Sequence, residues 1–150
     1  MENKALAKGK KQYVIFRIAD QDFGADIHKV SIIEKTMNIT RVPTAPSYIT
    51  GVVNLRGDII PVMDLRIKFG LEPKEPDDDT RIIMFKLNDV TLGVMVDSVD
   101  EVVNFDDTEI ESVTNITNDR TLDYIAGVGK SGGRIATLLH IEKLITELIA

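Results

Sequence analysis

The sequence predicts an all-β fold with short helices, built as two lobes packed on a shared core, and three observations predict it. Apolar and β-branched residues recur in short alternating runs, glycines and polar pairs punctuate them at hairpin spacing, and the pattern of the first half returns in the second. One hundred and fifty residues, 43% hydrophobic and 28% charged, allow one compact unit. Either half alone would bury too little apolar surface to be stable, so the halves should share their core.

The repeat orders the chain. Phe16 to Ile27 lies over Phe85 to Val96 without a gap, and the register continues to Val30 over Val99 and Ile33 over Val102. In a second block, Ile49-Thr50-Gly51-Val52 matches Ile125-Ala126-Gly127-Val128, Gly57-Asp58-Ile59 matches Gly133-Arg134-Ile135, and Leu65 lies over Ile141. The offset is 69 residues in the first block (16 to 85) and 76 in the second (49 to 125), so the second copy carries about seven extra residues, expected around Asp106 to Arg120.

Each copy opens with a hairpin. Tyr13 to Ile18 and Arg81 to Leu87 are rich in aromatic and β-branched residues, and each ends in a polar turn followed by a strand that carries a glycine. Gly51 to Met63 reads as a second hairpin, with glycines where a positive φ or a close backbone approach is needed, and Pro61 suggests an edge or bulged position. Asp64 caps a short turn of helix from Leu65 to Phe69, which Gly70 stops. Pro73, Pro76 and Asp77-Asp78-Asp79 punctuate the midpoint, giving lobe one over about 13–70, a solvated linker over about 71–80 and lobe two over about 81–140. A C-terminal helix over about 141–149 puts Leu144, Ile145, Leu148 and Ile149 on one face, and it should close the core at the far end of one lobe.

A formal charge of −6 and a pI near 4.9 disfavour nucleic acid and anionic membranes as partners. No run approaches the roughly 20 apolar residues of a membrane span, and Met1 to Lys11 reads as a frayed polar tail. With no cysteine there is no disulfide, thiolate metal site or cysteine nucleophile, which fits the cytosol. His28 and His140 lack metal-ligand spacing. Gly129-Lys130-Ser131 resembles a phosphate loop, but the earlier glycine that loop requires falls at Tyr124, and the flanks read as strands around a Ser131-Gly132-Gly133 turn. The residues therefore point to binding without catalysis, metal or cofactor. Arg56, at the tip of the second hairpin, offers five fixed donors to a partner's carboxylates or carbonyls.

The run Ile49-Thr50-Gly51-Val52-Val53-Asn54-Leu55-Arg56-Gly57-Asp58-Ile59-Ile60-Pro61-Val62-Met63-Asp64-Leu65 resembles the signature of CheW-like domains. The similarity extends from the Tyr13 strand through Gly93-Val94-Met95-Val96-Asp97-Ser98-Val99 to Arg134-Ile135 and the final helix, leaving out only the first dozen residues. The resemblance implies two five-stranded SH3-like barrels on a common core. It also implies a chemotaxis adaptor that holds the regulatory domain of the histidine kinase CheA and the cytoplasmic tip of methyl-accepting chemotaxis receptors, at the receptor array and on the cytoplasmic side. By the same resemblance, receptor contact falls in an apolar groove between the barrels at Val30, Ile33 and Val99, with Arg56 nearby, either touching the receptor or holding the groove through internal hydrogen bonds. Gly51, Asn54 and Gly57 shape the turn, and the kinase meets barrel ends at residues left unassigned. One departure stands out: many members carry a glutamate directly before the isoleucine numbered 33, where this chain has Ile32 and the acid lies at Glu34. The rival readings are a CheW-like adaptor of a receptor and kinase system outside motility, and a ligand-binding or nucleic-acid-binding small barrel. The acidic balance and the lack of an aromatic row oppose the last of these.

Overall fold

The alternating runs form strands nearly where the periodicity predicts them. The computed structural model describes residues 11–112 and 123–149. The first hairpin is β1 (Lys11–Ile18) and β2 (Gln21–Asp26). A three-residue turn of 3-10 helix leads to β3 (Val30–Lys35), and the second hairpin is β4 (Ile49–Leu55) and β5 (Asp58–Asp64). The second copy supplies β6 (Arg81–Leu87), β7 (Val90–Val96), β8 (Ser98–Phe105), the two-residue β9 (Ile110–Glu111), β10 (Ile125–Ser131) and β11 (Arg134–Leu139). A one-turn helix, Leu65–Lys68, follows β5, and the C-terminal helix, Ile141–Ile149, follows β11. The Asp64 carboxylate caps the short helix by accepting from the Arg66 N–H at 2.9 Å, and Gly70 ends the segment with φ +77°.

The strands form two sheets, ordered β8-β1-β2-β11-β10-β9 and β3-β6-β7-β5-β4. Apart from β9, whose place in the second sheet is taken by a single bridge between Thr40 and Val52, replacing each strand by its counterpart in the other copy turns one order into the other, and the registers agree residue by residue. Phe16 faces Val99 as Phe85 faces Val30. The parallel contacts pair Gly24 with Leu138 and Gly93 with Val62. Ladder irregularities fall at Ile49/Gly51 and again at Ile125/Gly127. Pro61 lies in β5 just before the segment that pairs with β7, where that side of the strand is not yet in the parallel ladder.

The sheets do not follow a division of the chain into lobes over 13–70 and 81–140. The hairpin β1–β2 joins β8 to β11 of the second copy, and β6–β7 joins β3 to β5 of the first. Each sheet is completed by the other copy's hairpin. The reason lies partly in Gly24: a Cβ there would stand 2.8 Å from a Leu138 methyl, so the bare backbone admits β11 alongside β2. Both copies carry that glycine and the same apolar pattern, so the sequence alone leaves open which hairpin completes which sheet.

The largest apolar cluster lies between the sheets and draws on both: Phe16, Phe23, Phe85, Leu92, Val94 and Leu139 are among its buried members. A satellite fills each barrel, with Tyr13, Ile15, Phe105 and Leu138 in one and Val53, Ile60, Val62 and Met84 in the other. The C-terminal helix sends Ile141, Leu144 and Ile145 into the central cluster, so it closes the shared core and not the far end of one lobe. The side chains of Leu148 and Ile149 lie outside those described, as do residues 113–122 within the stretch expected to hold the seven extra residues. Along the exposed linker, Lys74 pairs with Asp77 at 2.9 Å, and the Asp77 carboxylate accepts from the Asp79 N–H.

Candidate functional site

Val30 and Val99 are counterparts that begin at the border of the shared core. Val30 lies opposite Phe85 on β3 and Val99 opposite Phe16 on β8, and both pack half-buried against the central cluster. Ile33 lies opposite Ile83, a member of that cluster, so it shares the seam face, where 38% of it is exposed. Its counterpart Val102, opposite Val14, is 47% exposed. These four residues give the seam an apolar border contributed equally by the two copies. Ile32 turns the other way: the irregularity between Val30 and Ile32 sets it opposite Met84, against the core of its own barrel. Glu34 shares that face, opposite Ile82, one position before the end of β3.

Arg56 and Gly57 are the two central residues of the β4–β5 turn, with φ +54° and +88°. Both values are positive, as in the tight turns that match strand twist, and the Asn54 Oδ1 accepts from the Gly57 N–H at 3.0 Å to close the turn. A left-handed conformation costs an ordinary residue about 1 kcal/mol. In the second copy the same place is taken by Gly132, at φ +56°. The Arg56 side chain is exposed and forms no hydrogen bond or ion pair with any described residue. The turn stands at the end of its sheet where Val30 also lies, but β6 and β7 separate β3 from β5. Gly51 works differently: a Cβ there would stand 2.2 Å from the Thr40 carbonyl oxygen, and at Gly127 2.8 Å from that of Glu111. Both glycines let a backbone segment close the barrel against β4 or β10.

Features that the sequence reading did not single out also shape this surface. Ile59 and Ile135, counterparts near the hairpin tips, are 64% and 59% exposed. Ile59 borders an apolar groove of about 530 Å³ with Val42, Val52, Pro61 and Val90. The repeat aligned these isoleucines, but alternation alone does not tell a solvent face from a seam face. Arg66 grips Asp97 with two donors, Nε at 3.0 Å and a terminal nitrogen at 2.7 Å, and Asp97 also accepts from the Ala19 N–H at 2.8 Å. Burial opposes ionisation of Asp97, but the guanidinium and the Ala19 amide outweigh it and hold the carboxyl below its usual range. This contact ties the short helix to the tip of the first hairpin. Asp22, Asp100 and Glu101 converge on Arg134, which pairs with Glu101 at 2.7 Å, with Asp22 at 3.4 Å and with Asp100. Among the described residues, no group of three histidine or acidic side chains is arranged to hold a metal, and no helix is long and apolar enough to cross a membrane. The spacing Gly129-x-Ser131-x-Gly133, shared with nucleophile elbows, is here strand, turn and strand with no helix after it.

Comparison with known proteins covers nearly the whole chain. The model of the CheW-like domain matches residues 12–148. The chemotaxis protein CheW of Helicobacter pylori is 35% identical over 91% of this chain and 82% of its own length, and that of Bacillus subtilis is 33% identical over 95% and 92%. The crystal structure of the scaffolding protein TtCheW from Thermoanaerobacter tengcongensis superposes with a TM-score of 0.80 at 34% identity, covering 86% of this chain and 88% of that one. With the family model spanning residues 12–148 and relatives about one-third identical over more than nine-tenths of the chain, the chain belongs to the CheW-like domain family.

Proposed function

We propose that this chain is a chemotaxis adaptor that couples the cytoplasmic tips of methyl-accepting chemoreceptors to the regulatory domain of the histidine kinase CheA, with no catalysis of its own. The observation that carries this reading is the continuity of the likeness, which runs from residue 12 to residue 148 and takes in both the seam and the hairpin tip. The chain reaches the membrane-associated array through its partners.

Val30, Ile33 and Val99 form the receptor surface, with Arg56 as its polar anchor. An apolar border with β-branched residues on both sides suits a helical tip laid along it. Arg56 is supported by its cost: a side chain held in a left-handed conformation, with no intramolecular partner, where the other copy has glycine, is the kind of local strain retained for a contact outside the chain. Gly51 and Gly57 act through the backbone, and Asn54 through the side-chain oxygen that closes the turn. The kinase takes the barrel ends, where Ile59 and Ile135 offer exposed apolar surface beside the hairpin turns.

The test is calorimetry of the parent chain, Arg56→Glu and Arg56→Gly against a receptor-tip fragment and against the CheA regulatory domain. Both variants should keep the kinase and lose the receptor by about tenfold or more. Arg56→Gly should at the same time gain about 1 kcal/mol of stability by relieving the turn. A parent chain that binds neither partner overturns the adaptor reading.

A further inference from the structure

Lys68, at the end of the short helix, is only 10% exposed and is enclosed by groups from both copies. Its Nζ stands 4.0 Å from the centroid of the Tyr48 ring and 4.8 Å from that of Tyr124, and it donates to Glu147 Oε1 of the C-terminal helix at 2.6 Å. The Tyr124 hydroxyl donates to the other oxygen of the same carboxylate. Tyr48 and Tyr124 are themselves counterparts, one residue before Ile49 and Ile125. The residue that corresponds to Lys68, 76 positions on, is the fully buried Leu144. At this position the first copy places a cation that faces both tyrosines, where the second places an apolar side chain. Two lysines could not share this position without bringing like charges together.

The register sets this cluster and the receptor groove at opposite corners of the shared core. In the second sheet, Val30 lies on the edge strand β3 beside Phe85, near the β6–β7 turn. Tyr48 and Lys68 flank β4 and β5 at the other edge, where Ile49 pairs with Met63 and Asp64 runs beside Met95. The first sheet repeats the arrangement with Val99 and Tyr124. A packed core transmits such a constraint because it repacks in discrete steps and does not deform smoothly.

We propose that the Lys68, Tyr48, Tyr124 and Glu147 cluster is the pivot between the two sheets, and that Lys68 is a positioning residue that sets the width of the Val30/Val99 groove from the far side of the core. The receptor part of this statement rests on the adaptor reading. The pivot part does not.

The chain has no cysteine, so spin labels introduced by Lys35→Cys and Asn104→Cys, exposed counterparts on β3 and β8, report the span of the groove without background. Pulsed electron spin resonance on this labelled chain, with and without Lys68→Met, reads the distance distribution, and calorimetry reads affinity for the receptor-tip fragment. Lys68→Met keeps the stem and removes the charge. It should broaden the distribution about twofold and weaken tip binding about fivefold, the low end of coupling between distant sites, while leaving CheA binding as it was. Tyr124→Phe, which keeps the ring and removes the hydroxyl on Glu147, should broaden it less, and it carries the test alone if Lys68→Met does not fold. Unchanged distributions in both variants overturn the pivot. A broadened distribution with unchanged tip affinity overturns the positioning role. If the parent chain does not bind the tip but the variant still broadens, the pivot is supported and it is the adaptor reading that fails.

Discussion

Gly51 shows how much can hang on a missing methyl group. An added Cβ would meet the Thr40 carbonyl oxygen at 2.2 Å, and that oxygen is fixed by paired 2.8 Å bonds between Thr40 and Val52. Gly51→Ala should therefore lose about 3 kcal/mol, the upper end of overpacking, and Gly127→Ala, with its 2.8 Å approach to Glu111, should lose less. Urea denaturation of the two variants beside the parent chain checks the order. The backbone role of these glycines was legible in the sequence because both copies keep them at one position. The matching places of Val30 and Val99 at the border of the core were legible because the repeat set one over the other. The strain at Arg56 was not, since Asn-Leu-Arg-Gly does not say which two residues form the turn's centre. Nor was the setting of Lys68, which depends on Tyr124 and Glu147, 56 and 79 residues further along the chain (124 minus 68 and 147 minus 68).

The contact between the short helix and the first hairpin depends on the charge of Asp97. Its carboxyl titrates below its unfolded value of about 3.9, so the stability it contributes is fully present above that pH and is lost as pH falls through the folded value. Asp97→Asn should cost about 2 kcal/mol at pH 7, and the gap from the parent chain should close as acid protonates the parent's own carboxyl. Asp64 acts in the opposite sense: burial, outweighing its bonds to the helix N–H groups, raises its pKa, so its contribution falls as pH rises through the carboxylate range. The comparison therefore belongs at matched pH, by urea denaturation at neutral pH and again below pH 4. The hairpins themselves were readable from alternation and turn residues. The irregularity that turns Ile32 inward and Ile33 outward was not, because a single extra residue reverses every face after it and leaves composition unchanged.

Two copies of one pattern, each completing the other's sheet, make a molecule whose halves are not separable. A chain cut between Pro73 and Pro76 should give two fragments that are each largely unfolded and that together recover the parental circular dichroism, since neither fragment holds a complete sheet. Fragments that fold separately would mean that each half can close on its own hairpin. The duplication and the shared core could be read from the sequence; the exchange could not, because equivalent glycines and apolar runs permit either pairing. The parallel contact between Phe23 and Thr137 adds a matter of timing. Translation at about 5–20 residues per second takes roughly 6 to 23 s to span the 114 residues between them (137 minus 23). Throughout that interval the nascent first hairpin has one ladder edge without its partner, so the ribosome-bound chain is most exposed to chaperones and to neighbouring nascent chains at its oldest end, and it becomes safe only with the last strand made.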